Sequence, residues 1–234
     1  MINLSASPFD YTHPEDRKAI IKSNVLKYHL PIIYCNTVGS QTEIVFDGGS
    51  IVADNDSNIR MEMKTFSEDL QYLELQDNGC LNLPILEKAV AFPEIPLDPE
   101  SLEPELNIDL VYEALKLGIR DYFSKMGFTK AILGSSGGID SAVALAIAVD
   151  ALGAENVHAI LMPSAFSSIH SVEDATQLSI NLGNPYEVIS IENIYQDFLL
   201  TLQPVFENLP FNVAEENIQS RTRGNLLTAI ANKF

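Results

Sequence analysis

The stretch Gly134-Ser135-Ser136-Gly137-Gly138-Ile139-Asp140-Ser141 constrains this chain more than any other. It follows a short apolar run, Lys130-Ala131-Ile132-Leu133, and opens a long Ala/Val/Leu/Ile segment from Ala142 to Leu152. That order predicts a strand, a glycine-rich turn and a helix. Gly137 and Gly138 can take backbone angles closed to other residues and let the main chain come close to a ligand. The N–H groups of the turn and of the first helical turn then point at one spot, where the helix dipole favours an anion. Ser135, Ser136 and Ser141 add hydroxyl donors. Asp140 is the odd member, because a carboxylate beside phosphate is repelled unless a cation sits between them. A Mg²⁺ shared by Asp140 and phosphate oxygens resolves the conflict, which makes Asp140 the candidate metal ligand.

Two better-known loops do not fit. A Walker-type loop ends in Gly-Lys-Ser/Thr, whereas this one carries Ile139-Asp140-Ser141 and no lysine. The glycine spacing also fails the dinucleotide fingerprint G-x-G-x-x-G. What remains resembles the Ser-Gly-Gly-x-Asp-Ser loop of the ATP pyrophosphatase superfamily. That resemblance implies ATP as co-substrate, cleaved to AMP and pyrophosphate while an acceptor is adenylated. The rival reading is a glycine-rich turn without a ligand. Strand, glycines, hydroxyls, acid and helix in the required order favour the ligand site over it.

Composition narrows the class further. At 234 residues the chain holds one large domain or two smaller ones, and 46% hydrophobic residues suffice for a core. No apolar run approaches the ~18 residues that span a bilayer. The start, Met1-Ile2-Asn3-Leu4-Ser5-Ala6-Ser7-Pro8, lacks the basic flank and apolar core of a secretory signal. Cys35 and Cys80 make neither a disulfide framework nor a metal cluster, so a reducing, cytoplasmic setting is expected. The net charge of −18 argues against a nucleic-acid surface. His13, His29, His158 and His170 are scattered without ligand spacing and read as structural.

In chain order, a strand-like start precedes a helix from about Pro14 to Tyr28. Strands are expected at Leu30–Asn36, Glu43–Phe46, Ser50–Ala53 and Met61–Phe66, the last two joined through the turn cluster Asp54–Asn58. Residues 68–108 lose periodicity and gain Pro84, Pro93, Pro96, Pro99 and Pro104 among acids, the composition of a linker. A helix begins at Asp109 and delivers the chain to the strand before the glycine-rich turn. Beyond that turn, helix Ile139–Leu152, strand Val157–Met162, helix Val172–Leu182 and strand Tyr186–Ser190 imply right-handed crossovers and a parallel sheet. Ligands of such sheets bind beyond the carboxyl ends of the strands, so the Gly134 turn and Met162-Pro163-Ser164 should line one crevice. A final helix starts near Ala214 and carries Asn217, Arg221 and Asn225 four apart on one face. Amides and arginines there suit phosphates and a carboxylate. The plainer reading is an exposed helix with Glu216 and Arg223 paired.

Three motifs together point to one family. Ser5-Ala6-Ser7-Pro8, Tyr34-x-Asn36-x-Val38-Gly39 and Phe46-Asp47-Gly48-Gly49-Ser50 resemble the last third of a nitrilase-like amidase domain, and more closely the glutaminase domain of glutamine-dependent NAD synthetases. The segment Glu216-Asn217-Ile218-Gln219-Ser220-Arg221-Thr222-Arg223 is similar to one by which that family contacts deamido-NAD, with Ser220 in place of a common alanine. The resemblance implies an α/β chain. Residues 1–85 would be the end of a nitrilase-like α-β-β-α sandwich and 86–108 a linker. Residues 109–234 would be the start of a Rossmann-like synthetase domain of the adenine nucleotide alpha hydrolase type, both domains incomplete. It implies that ATP is held by Gly134 through Ser141 and Met162, that deamido-NAD is held by Asn217 and Arg221, and that Mg²⁺ is held by Asp140. The family reaction adenylates deamido-NAD, and ammonia from glutamine then displaces AMP to give NAD. A homo-oligomer is implied for the full-length enzyme. The family's Glu-Lys-Cys glutaminase triad has no expected counterpart here. Cys35, mid-strand beside Tyr34, is expected as a small hydrophobe rather than a nucleophile. Two alternatives compete: a non-catalytic Mg-ATP-binding fragment, and another enzyme with this loop, such as a tRNA thiolase or GMP synthetase. The acidic balance and the Asn217–Arg223 segment weigh against the second.

Overall fold

The computed structural model describes residues 1–10, 13–76, 81–84, 86, 108–207 and 209–233. Cys80 and nearly all of the proline-rich linker therefore lie outside the described residues. The chain divides into two compact units, Met1–Tyr122 and Phe123–Phe234.

In the first unit, β1 (Ile2–Ser5), β2 (Ile32–Asn36), β5 (Ile51–Ala53) and β6 (Ile59–Glu62) form a sheet in the order β1-β2-β5-β6. The β1–β2 pair is parallel and the others antiparallel. Along β2, Ile32, Tyr34 and Asn36 are buried, so the pleat turns Cys35 outward. The sequence expectation of a buried cysteine is thereby corrected: Cys35 is exposed. Helix α1 (His13–Tyr28) places Ile21 and Val25 against Ile32, Tyr34, Ile51, Ala53 and Ile59. Between β2 and β5, β3 (Val38–Gln41) and β4 (Ile44–Asp47) form a tight hairpin. The residues before Thr42 read as a loop in sequence because Gly39 and Ser40 have poor strand propensity. Pairing with β4 overrides that. Helix α2 (Ile108–Met126) buries Ala114 and Leu117 against Phe66, with Phe9, Val38 and Val45 around them.

The strand expected over Met61–Phe66 instead runs Ile59–Glu62, because its partner β5 offers only Ile51–Ala53 for pairing and Glu62 meets the end of it at Ile51. Asp54 accepts from the backbone N–H groups of Asp56 (3.0 Å) and Asn58 (2.8 Å) and from Arg60 Nε (2.5 Å). Arg60 in turn donates to the Leu83 carbonyl at 2.8 Å. Burial acts to raise the Asp54 pKa, but the Asn58 and Arg60 donors outweigh it and hold the carboxyl below its ordinary value of 3.8. A carboxylate depressed on folding adds stability above its unfolded pKa, and that stability is lost as pH falls through the folded one. Asp54→Asn is therefore expected to lower the thermal midpoint at neutral pH. The gap from the parent should close as pH drops below 3.8. A pH-independent gap would refute the linkage.

The second unit is built on β7 (Ala131–Gly134), β8 (Val157–Leu161) and β9 (Tyr186–Val188), all parallel, in the order β7-β8-β9. Strand β8 sends alternate residues to opposite faces. Val157, Ala159 and Leu161 meet Leu145, Ala148 and Val149 of α3 (Ile139–Leu152) and Ala175 of α4 (Ile169–Leu182). Ile160, followed by Met162, meets Ile191 and, on α6 (Val213–Lys233), Leu226, Leu227 and Ile230. Both faces of the sheet are covered, as parallel sheets require. Helix α4 begins three residues before the expected Val172, because Ser168 caps it by accepting from the Ser171 N–H at 3.0 Å. Helix α5 (Glu192–Phe206) lies in a stretch for which the sequence pattern gave no assignment. No helix among the described residues is long and apolar enough to cross a membrane.

Candidate functional site

The glycine-rich turn links β7 to α3, as its residue order predicts. Its first residue, Ser135, continues the sheet by donating its N–H to the Ile160 carbonyl at 3.0 Å. The turn then closes on itself through hydroxyls. Ser141 Oγ donates to the Gly138 carbonyl at 2.9 Å and accepts from the Ser136 N–H at 3.2 Å. Since that spends the Ser141 proton, Ser136 Oγ is the donor in the 3.1 Å hydroxyl pair, and it accepts from the Gly138 N–H at 3.2 Å. Gly137 has φ +82°, and a Cβ there would lie 2.1 Å from the Ser171 carbonyl oxygen in the first turn of α4. The second helix N-terminus thus abuts the turn. Ser135 Oγ is buried and has no partner among the described residues.

A cleft of about 480 Å³ opens beside this turn, within the usual range of small-molecule sites. Gly134, Ser135 and Ser136 form one wall, Met162 and Pro163 come from the end of β8, and Ser171 and Val172 from α4. The two strand ends expected to share a crevice do so. The last wall is α6, through Ser220, Arg223, Gly224 and Leu227. The remaining turn residues stand outside the lining. Ile139 and Asp140 are exposed in the first turn of α3, and Gly137, Gly138 and Ser141 shape the backbone instead. Asn217 and Arg221 are exposed and do not line the cleft.

Arg223 is the residue that sequence reading missed. It does not pair with Glu216. Its Nε donates to the Met162 carbonyl at 3.0 Å and its Nη2 to Ser164 Oγ at 3.4 Å. Ser164 Oγ also donates to Gln219 Oε1 at 3.0 Å. A signal was present: Gln219, Thr222, Leu226, Leu227 and Ile230 mark the inward face of α6 at helical spacing, and Arg223 lies on that face. The helix is set by a reciprocal cap, in which Asn212 Oδ1 accepts from the Ala214 N–H at 2.8 Å and Glu215 Oε2 from the Asn212 N–H at 2.9 Å. Burial lowers the Arg223 pKa from its ordinary value.

For a metal, Asp140 stands without two further His, Cys, Asp or Glu neighbours among the described residues. One carboxylate completed by substrate phosphates is the usual protein share of a Mg²⁺ site, so the donor set fits that ion and not an all-protein cage.

A parallel α/β unit with a hydroxyl-lined glycine turn over a cleft at its strand ends belongs to the class that takes anionic ligands at the carboxyl edge of the sheet. The sequence model of the family described as NAD synthase matches residues 111–234. The chain belongs to that family. It is 44% identical to a glutamine-dependent NAD(+) synthetase of Synechocystis, over all of this chain and 40% of that protein. It is 38% identical to one of Thermotoga maritima, over 99% of this chain and 43% of that protein. The solved glutamine-dependent NAD+ synthetase of Acinetobacter baumannii, in complex with ADP, superposes with a TM-score of 0.86 at 37% identity, covering all of this chain and 42% of that one. The chain thus spans about two fifths of the length of the relatives it matches.

Proposed function

We propose that this chain serves ATP-dependent amidation of deamido-NAD to NAD, with AMP and pyrophosphate released and ammonia drawn from glutamine in the whole enzyme. The observation that carries this reading is the closed Gly134–Ser141 turn facing Met162 across the cleft, in a chain of the NAD synthase family. The ADP held by the Acinetobacter baumannii relative supports an adenine nucleotide here. ATP would lie along Gly134, Ser135, Ser136 and Met162, with its phosphates toward the N–H groups around Gly137, Gly138, Ile139 and Ser141. Opening the Ser136–Ser141 hydroxyl pair would free the Ser136 hydroxyl proton for a phosphate oxygen. Asp140 would hold Mg²⁺, whose chemistry is to neutralise charge on the triphosphate. The preset N–H groups would stabilise charge that develops on departing pyrophosphate. Asn217 and Arg221, on the exposed face of α6, would bind deamido-NAD and orient its carboxylate, a proximity effect.

Residues 1–85 are read as the end of a nitrilase-like glutaminase domain, 86–108 as a linker and 109–234 as the start of the synthetase domain. The first unit is thereby assigned no catalytic residue. The test is AMP release from Mg-ATP with deamido-NAD and ammonium, against a control without deamido-NAD. AMP formed only when deamido-NAD is present is the result expected of the full-length enzyme. This chain alone is expected to show at most weak turnover while still binding Mg-ATP. Failure to bind Mg-ATP would remove the reading.

A further inference from the structure

Arg223 is a half-buried cation with no carboxylate partner among the described residues, in a chain whose net charge is −18. Its hydrogen bonds go to two neutral acceptors, the Met162 carbonyl and the Ser164 hydroxyl. Neither cancels a charge. Taking a guanidinium partly out of water costs free energy, which a bound anion offsets. The fold fixes the fork by Nε and Nη2 at the wall of the cleft, across from Gly134, Ser135 and Ser136. Ser135 Oγ, buried and without a partner, belongs to the same cleft. A cation without a counter-ion and a donor without an acceptor, in one cavity, are both satisfied by an anionic ligand rich in oxygen.

We propose that Arg223 is a nucleotide-site residue: locked to Met162 and Ser164 at the end of β8, its guanidinium supplies the fixed positive charge that balances the phosphates of a nucleoside triphosphate in the Gly134 cleft. This rests on the reading that the cleft takes ATP. It adds a role distinct from that of Arg221, which lies outside the cleft. Ser164 acts as a positioning residue, because its hydroxyl accepts from Arg223 while donating to Gln219.

The test compares Mg-ATP with uncharged adenosine, measured by calorimetry and by competition, on the 234-residue chain. Arg223→Met should weaken Mg-ATP by about 10- to 100-fold, the range for losing a hydrogen bond to a charged group, and leave adenosine unchanged. Arg223→Lys keeps the charge but loses the fork, and should fall between parent and methionine variant. Ser164→Ala removes an anchor only, and should weaken Mg-ATP about threefold with adenosine unaffected. If Arg223→Met does not fold, the lysine and alanine variants carry the same comparison. Unchanged Mg-ATP affinity in the Arg223 variants, or equal weakening of ATP and adenosine, would overturn the proposal and leave Arg223 a structural latch. Absence of Mg-ATP binding by the parent chain would instead overturn the ATP reading of the cleft.

Discussion

Replacing Gly137 with alanine is expected to abolish measurable Mg-ATP binding and to lower the thermal midpoint of the second unit by more than about 5 °C. Two independent costs combine at this position. The backbone sits at φ +82°, where an alanine pays about 1–2 kcal/mol. The new Cβ would also stand 2.1 Å from the Ser171 carbonyl oxygen and 2.7 Å from its carbonyl carbon. Backbone atoms cannot rotate away, so either α4 shifts or the turn opens. Gly138 provides the internal comparison. Its φ is −86°, and a Cβ there would meet only Ser136 Oγ at 3.4 Å. Gly138→Ala should therefore cost less than about 1 kcal/mol of stability. Differential scanning calorimetry and ATP titration of both variants check the pair. Equal loss in the two would mean that the approach of the turn to α4 is not what demands glycine.

The second large effect belongs to the first unit. Asp47 is 1% exposed and receives both arms of Arg17, with Nη1 at 3.1 Å from Oδ2 and Nη2 at 3.0 Å from Oδ1. Asn36 Nδ2 adds a bond to Asp47 Oδ1 at 3.1 Å and another to the Gly48 carbonyl at 3.0 Å. Asn36 also accepts from the Ser7 N–H at 2.9 Å, and Arg17 lies over the Tyr34 ring at 5.6 Å. Asp47→Ala would leave Arg17 buried without its counter-charge. Breaking such a pair from one side costs about 3–5 kcal/mol. Urea unfolding followed by far-UV circular dichroism should show the first unit melting at much lower denaturant. Tyrosine emission offers a second probe, since the chain has no tryptophan to mask it. The double replacement Arg17→Met with Asp47→Leu should recover much of the loss, because it removes both charges together. A single replacement costing less than about 1 kcal/mol would mean that water already reaches this pair.

Legibility in the sequence followed the range of the interactions involved. The Gly134–Ser141 turn announced itself because its chemistry is local: glycines, hydroxyls and a helix start within eight residues. The strand–helix alternation after it was equally plain, since apolar runs and periodicity come from neighbouring residues. Strand β3 escaped because Gly39 and Ser40 form a strand only through their partners Phe46 and Val45. Cys35, expected as a small hydrophobe, is exposed because alternation fixes which residues share a face, not which face is buried. The Asp47-Gly48-Gly49 string stood out as a motif, but the reason for it lay in Arg17.

The sequence by itself determined the phosphate-type turn, the parallel α/β plan around it and the family they imply. Each rests on backbone preferences and side-chain patterns set within a few residues. Only the tertiary structure decided which arginine of the last helix enters the cleft, which carboxylate Arg17 neutralises and why Gly137 must be glycine. Arg223 reaches Met162 across 61 positions, and Arg17 reaches Asp47 across 30. Such partners are chosen by how helices lie on sheets, and the burial that makes an unpaired charge costly exists only once that packing has formed.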